Sequence, residues 1–127
     1  MKTPTIAVAT IRTKSRHPKV KQTVGAYWSD DIVETLRDAT TGILQPYTDL
    51  WDDSIDGSER AWYSAFYLLF DFVAYASEGG GAFNSQSFGG LSHSFGKEEM
   101  PPIVKSIISR YAETESFGGG QLVRLGR

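Results

Sequence analysis

Two histidines and a cluster of acids near the middle hold most of the side-chain chemistry in these 127 residues. His93 stands between Ser92 and Ser94, and a hydroxyl beside an imidazole is the raw material of an activated nucleophile. Neighbouring side chains in a loop point different ways, however, and no carboxylate is positioned to orient the ring, so the triplet defines no catalytic site. His17 lies far off in a different kind of sequence. The stretch "DDSIDG" places oxygen ligands at Asp52, Ser54 and Asp56 and a turn glycine at Gly57, like the opening of a calcium loop. The position where that loop needs a bidentate glutamate is Tyr63, so a solvated turn leading into a helix accounts for the stretch better. Gly79, Gly80 and Gly81 lack the preceding strand and following lysine of a phosphate loop and read as a helix terminator. Cysteine is absent, which removes disulfides, thiol catalysis and thiolate metal sites together. The expectation is a chain without catalytic residues, metal or cofactor.

The elements that must carry these residues are helical. Ser29 is a good N-cap, and Asp30 and Asp31 favour the positive end of a helix dipole. Ile32, Val33, Leu36, Ala39, Ile43 and Leu44 then follow at three- and four-residue spacing, which predicts a helix that Pro46 stops near Leu44. A second helix is expected from Ser58 to about Ser77. In its central stretch, Ala61–Ala76, fourteen of sixteen residues are apolar or aromatic. Its remaining polarity runs along one stripe, Arg60, Ser64, Tyr67, Asp71, Tyr75 and Glu78. Trp62, Phe66, Leu69 and Val73 form one oily face, and Tyr63, Phe70 and Ala74 another. An ordinary surface helix has an apolar arc of a little over about 100°, so this rod needs cover from two sides. Short companion helices supply one, and an identical neighbour is expected to supply the other. A third helix begins at Pro101 and Pro102, with Ile103, Val104, Ile107, Ile108 and Tyr111 on its apolar face.

Charge divides the chain unevenly. Residues 1–28 hold six bases and no acid, whereas residues 29–127 hold fifteen acids against seven bases, a net of −8. This predicts a basic arm on an acidic body. The short alternation in "TPTIAVATIRTK" suggests that residues 1–28 are extended. Lys14, Arg16, Lys19 and Lys21 are the candidate contacts of the arm, with nucleic-acid phosphates, with an acidic protein surface, or with solvent alone. The segment "TIAVATI" is too short and polar for a signal peptide, and no run reaches the roughly 18 apolar residues of a membrane span. The chain reads as soluble and intracellular, with no membrane partner.

Between the second and third helices, residues 78–99 interleave phenylalanines with glycines and serines. Such a loop can bury its rings only against something other than itself. Phe88, Leu91 and Phe95 flank a turn at Gly89–Gly90 and are candidates for bridging subunits. The tail, residues 113–127, repeats the texture around Phe117 and Leu122.

A short helix, a long aromatic-rich helix, the loop "SQSFGGLSHSFG" and a short helix ending in an Arg-Tyr pair, "PPIVKSIISRYA", resemble the head–tail connector proteins of long-tailed bacteriophages, also called adaptor or head-completion proteins. The resemblance spans roughly residues 29–112. It implies an all-α connector domain over 29–112, with an extended arm before it and an extended tail after it. It also implies a homo-oligomeric, twelve-fold ring beneath the portal protein, with a tail-side neck or stopper protein below. Genomic DNA would pass through the central channel without sequence-specific binding. Such a protein is made in the host cytoplasm and resides in the virion neck. On this reading Trp62, Tyr63, Phe66 and Phe70, with Phe88, Leu91, Phe95, Phe117 and Leu122, are interface candidates. Asp49, Asp52, Asp53 and Asp56 are candidates for an acidic channel lining that repels phosphates. Family members often begin near the first of these helices, and the basic segment 1–28 departs from that pattern. The alternative from another class is a small helical DNA-binding regulator that uses the basic arm.

Overall fold

The computed structural model describes residues 1–21, 27–80 and 100–112, with side chains described to Ser77 in the middle stretch. Five helices are described: α1 (Val8–Lys14), α2 (Pro18–Lys21), α3 (Asp30–Thr48), α4 (Ser58–Gly80) and α5 (Pro102–Tyr111). No strand occurs among the described residues, and the one isolated bridge pairs Trp51 with Ala112. No described helix is long and apolar enough to cross a membrane. The all-α expectation stands for these residues. The expected loop and tail, with Phe88, Leu91, Phe95, Phe117 and Leu122, lie outside the described residues.

The long helix α4 is the axis of the core. Trp62, Phe66, Leu69, Phe70, Val73 and Ala74 are all 0% exposed. They belong to one cluster with Val33, Leu36 and Leu44 of α3 and with Val104 and Ile108 of α5. Trp62 stacks on Phe66 at 5.5 Å and Phe66 on Phe70 at 6.2 Å. The N-terminal segment supplies the remaining cover. Ile6, Ile11, Val20 and Trp28 are buried in the same cluster.

This corrects two expectations. Residues 1–21, with Trp28, are not an extended arm, because α1 and α2 form within them and pack on the body. Val8, Ile11 and Ser15 stand three and four residues apart, a helical spacing that turns Ile11 and Ser15 inward. Tertiary burial outweighs the weak strand preference of a few β-branched residues. Arg12 fastens the segment by donating to the carbonyls of Val20 and Trp28 at 3.2 and 2.8 Å and to Asp30 Oδ1 at 2.7 Å. Lys21 donates to the carbonyls of Thr13 and Ser15 at the end of α1, where positive charge is favoured. The second correction concerns the rod. Apart from the half-buried Tyr63, both its oily faces are shielded within one chain, so no second copy is needed to cover them.

A third departure concerns Pro46, which lies inside α3 and does not end it. Proline removes one backbone donor and crowds the carbonyl four residues back, which ordinarily costs about 3 kcal/mol. A buried hydrogen-bond chain holds the last turn. The Trp62 indole donates to the Thr48 hydroxyl at 2.8 Å, and that hydroxyl donates to the Leu44 carbonyl at 3.0 Å. Both buried side-chain donors are thereby satisfied, and they are satisfied only if α3 continues to Thr48. At the other end Ser29 caps α3 as expected, its hydroxyl accepting from Ile32 N–H.

The turn between α3 and α4 is pinned from behind. Asp52 N–H donates to the Tyr111 carbonyl at 2.8 Å, and the Trp51 indole donates to the Ser58 carbonyl at 2.8 Å. Gly57 enters α4 at φ +80°, a conformation that glycine adopts without steric cost. Glycine is thus required at that place in "DDSIDG" by the turn itself.

Candidate interaction site

The polar stripe of α4 meets the N-terminal segment halfway along its length. Asp71 Oδ1 accepts from the Ser15 hydroxyl at 2.6 Å, and Oδ2 accepts from Arg16 N–H at 3.1 Å. Ser15 Oγ also accepts from His17 N–H at 3.1 Å. The His17 ring packs against Trp28 and Tyr75, with centroids 4.6 and 4.4 Å away, and its Nδ1 accepts from Lys19 N–H at 3.2 Å.

Serine, histidine and aspartate thus gather here, yet their geometry is that of a latch. Ser15 and His17 are each 1% exposed. The Ser15 proton points at the carboxylate, and His17 reaches the serine through its backbone and not its ring. A nucleophile requires a base on its hydroxyl and room for a substrate. The hydroxyl is held by a carboxylate and not by the imidazole, it is buried with no room for a substrate, and the arrangement joins α4 to the segment between α1 and α2.

Beside the latch the stripe opens into a groove of about 510 Å³. Lys14 and Arg16 line it from the end of α1, and Arg60 and Ser64 line it from α4. Tyr63, Tyr67 and Leu68 supply its apolar lining, and Asp71 belongs to the same lining. The two tyrosine rings stack at 6.4 Å, and Tyr67 meets Phe66 edge-on at 5.5 Å. Burial, and secondarily the neighbouring Tyr63, raises the Tyr67 phenol above its ordinary value, so it remains a neutral hydrogen-bonding group. The Lys14, Arg16 and Arg60 side chains form no ion pair with any described residue. The groove is therefore lined by cations and by aromatic rings.

The four basic candidates divide. Lys14 and Arg16 line the groove. Lys19 lies over the Trp28 ring at 5.9 Å, and Lys21 caps α1. Arg60 joins the first pair, although charge counting assigned it to the acidic body. The signal that could have linked them was the stripe itself, whose mid-helix carboxylate, Asp71, needed partners.

The acidic candidates lie on the turn before α4. Asp49, Asp53 and Asp56 are exposed. Asp49 accepts from the Gln45 amide at 2.8 Å. Asp52 Oδ1 accepts from both the hydroxyl and the N–H of Ser54, which holds its carboxyl below the ordinary range. That carboxylate serves its own turn. No group of three or more potential metal-binding side chains occurs among the described residues.

Of the interface candidates on α4, Trp62, Phe66 and Phe70 are withdrawn, because no surface of theirs remains to meet a neighbour. Tyr63 stays partly exposed in the groove. Among the described residues, the large apolar side chains that face outward are Tyr27, Leu50, Ile55, Tyr75 and Ile103. Comparison with family models, curated proteins and solved structures finds no match to the chain.

Proposed function

We propose that this chain is a structural virion subunit, a head–tail adaptor of a long-tailed bacteriophage that works by adhesion and without turnover. Copies would form a ring, twelve-fold as in the family it resembles, between the portal and a tail-side neck or stopper protein. Genomic DNA would cross the central channel without being read. The observation that carries this reading is the order of elements: α3, the long aromatic α4, the glycine- and phenylalanine-rich stretch, and α5 closing on Arg110 and Tyr111. A closed core also suits a subunit that must persist before it meets its partners. The subunit contacts are assigned to Tyr63 and the exposed Leu50 and Ile55, with Phe88, Leu91, Phe95, Phe117 and Leu122 as further candidates. Asp49, Asp53 and Asp56 share one exposed turn with Leu50 and Ile55, so they are assigned to the same contact surface in place of the channel lining.

Electron cryomicroscopy of purified particles tests the proposal. The expected result is a ring of this chain between portal and tail, located in the virion neck. A chain made during infection but absent from complete particles would refute it.

The groove favours a second reading, a DNA-binding regulator, because three cations beside stacked tyrosines are suited to phosphates and bases. That reading predicts salt-sensitive duplex binding by the purified chain that is lost when Lys14, Arg16 and Arg60 become alanine.

A further inference from the structure

The groove on α4 and the turn before α4 are chemical opposites. The groove offers Lys14, Arg16 and Arg60 together with Tyr63, Tyr67 and Leu68. The turn carries exposed Asp49, Asp53 and Asp56, and two aliphatic side chains protrude among them, Leu50 at 43% and Ile55 at 38% exposed. A cationic groove with an apolar lining suits an acidic ligand with aliphatic anchors, and the turn is such a ligand. It cannot enter the groove of its own chain, because Trp51 and Asp52 are held against the end of α5.

We propose that the groove of one copy receives the 49–57 turn of a second copy. This rests on the reading of the chain as a self-assembling subunit and names the contact that would join its copies. Leu50 and Ile55 would cover Tyr63, Tyr67 and Leu68, and the aspartates would neutralise the basic side chains. Duplex DNA is the weaker occupant. It presents phosphates without aliphatic anchors, and the chain as a whole carries a net charge of −2. Groove and turn are different surfaces, so the contact repeats head to tail and makes a ring where the rotation closes.

The chain contains no cysteine, so an introduced pair reports unambiguously. Ile55→Cys and Leu68→Cys are placed together in the full-length chain, concentrated until the wild type self-associates by sedimentation velocity, and oxidised. Leu68 lies ten residues into α4, about 15 Å along the axis, so the disulfide must form between copies. The expected result is a ladder of covalent multimers, whereas either single variant stops at dimers. Adding Lys14→Glu and Arg60→Glu should cut the yield about ten-fold, and Asp53→Lys with Asp56→Lys should then restore it.

Self-association without cross-linking, a product that stops at a closed dimer, or a yield indifferent to charge reversal overturns the contact and leaves the adaptor reading in place. So does salt-sensitive duplex binding that is lost on the same reversal while cross-linking persists. A wild type that never self-associates counts against the self-assembling subunit itself.

Discussion

One stripe of α4 has two surroundings. Toward the C-terminal end, Asp71 and Tyr75 are met by Ser15, Arg16 and His17, and the stripe serves as a seam between two parts of the chain, with Tyr75 still half exposed. Toward the N-terminal end, Arg60, Ser64 and Tyr67 follow the same helical spacing but line an open groove. Periodicity identifies both halves equally well. What separates them is a segment more than 50 residues away in sequence, since Ser15 and Asp71 are 56 residues apart. A polar line on an otherwise apolar helix therefore need not face solvent. It can be the place where another part of the chain docks, with the exposed remainder left for partners.

The largest expected effect removes the support beneath both halves. Phe66→Ala takes a fully buried ring from between Trp62 and Phe70 and should cost about 3–5 kcal/mol of unfolding free energy. Urea denaturation followed by circular dichroism measures it. A loss under 1 kcal/mol would mean that the aromatic row is not the structural axis.

The next separates the halves. Asp71→Ala leaves the Ser15 hydroxyl and the Arg16 amide without their acceptor. Bonds to a charged acceptor are worth about 1.5–3 kcal/mol, so a loss of about 2 kcal/mol is expected. Trypsin should then cut faster at Lys14 and Arg16 while α3 and α5 stay protected. Asp71→Asn, which keeps one carbonyl acceptor, should fall between. Unchanged cleavage would show that apolar packing alone closes the seam.

These variants also mark where the sequence was legible. The start of α3, the body of α4 and the buried Val104 and Ile108 of α5 follow from local rules, because cap residues and helical spacing are written within a dozen positions. Ile103, expected on the same face of α5, is exposed. The N-terminal fold was not legible. Ile6, Ile11, Val20 and Trp28 share a core without sharing a period, while the six bases among them advertised a surface. The passage of α3 through Pro46 was equally hidden, since it depends on Trp62 reaching Thr48 from another helix. Half the candidate site could be read as a stripe. Its basic part from the N-terminal segment could not, because Lys14 and Arg16 arrive there only through the latch at Asp71.

A smaller effect is expected on the open half. Replacing Lys14, Arg16 and Arg60 together by alanine removes side chains that form no ion pair with a described residue. Exposed positions of this kind change stability by about 0.5 kcal/mol or less each. The melting temperature should thus barely move while any anionic partner is lost. A substantial destabilisation would mean that the groove, like the seam, is part of the fold.

The smallest effect lies at alkaline pH and concerns the apolar lining of the groove. Tyr67 is raised above its ordinary value near 10, first by burial and then by Tyr63. The fold therefore favours the neutral phenol, and the unfolded chain ionises first. Stability from this source is fully present below the unfolded value of about 10 and is lost as pH climbs from there through the folded value. Wild-type protein should lose more stability across that window than Tyr67→Phe, which has no phenol to ionise. Urea midpoints from pH 9 upward, with absorbance at 295 nm reporting phenolate formation, give the comparison. If the two proteins decline in parallel, the Tyr67 ring is as well hydrated in the fold as in the unfolded chain, and the open half of the stripe has no apolar lining on which a partner could rest.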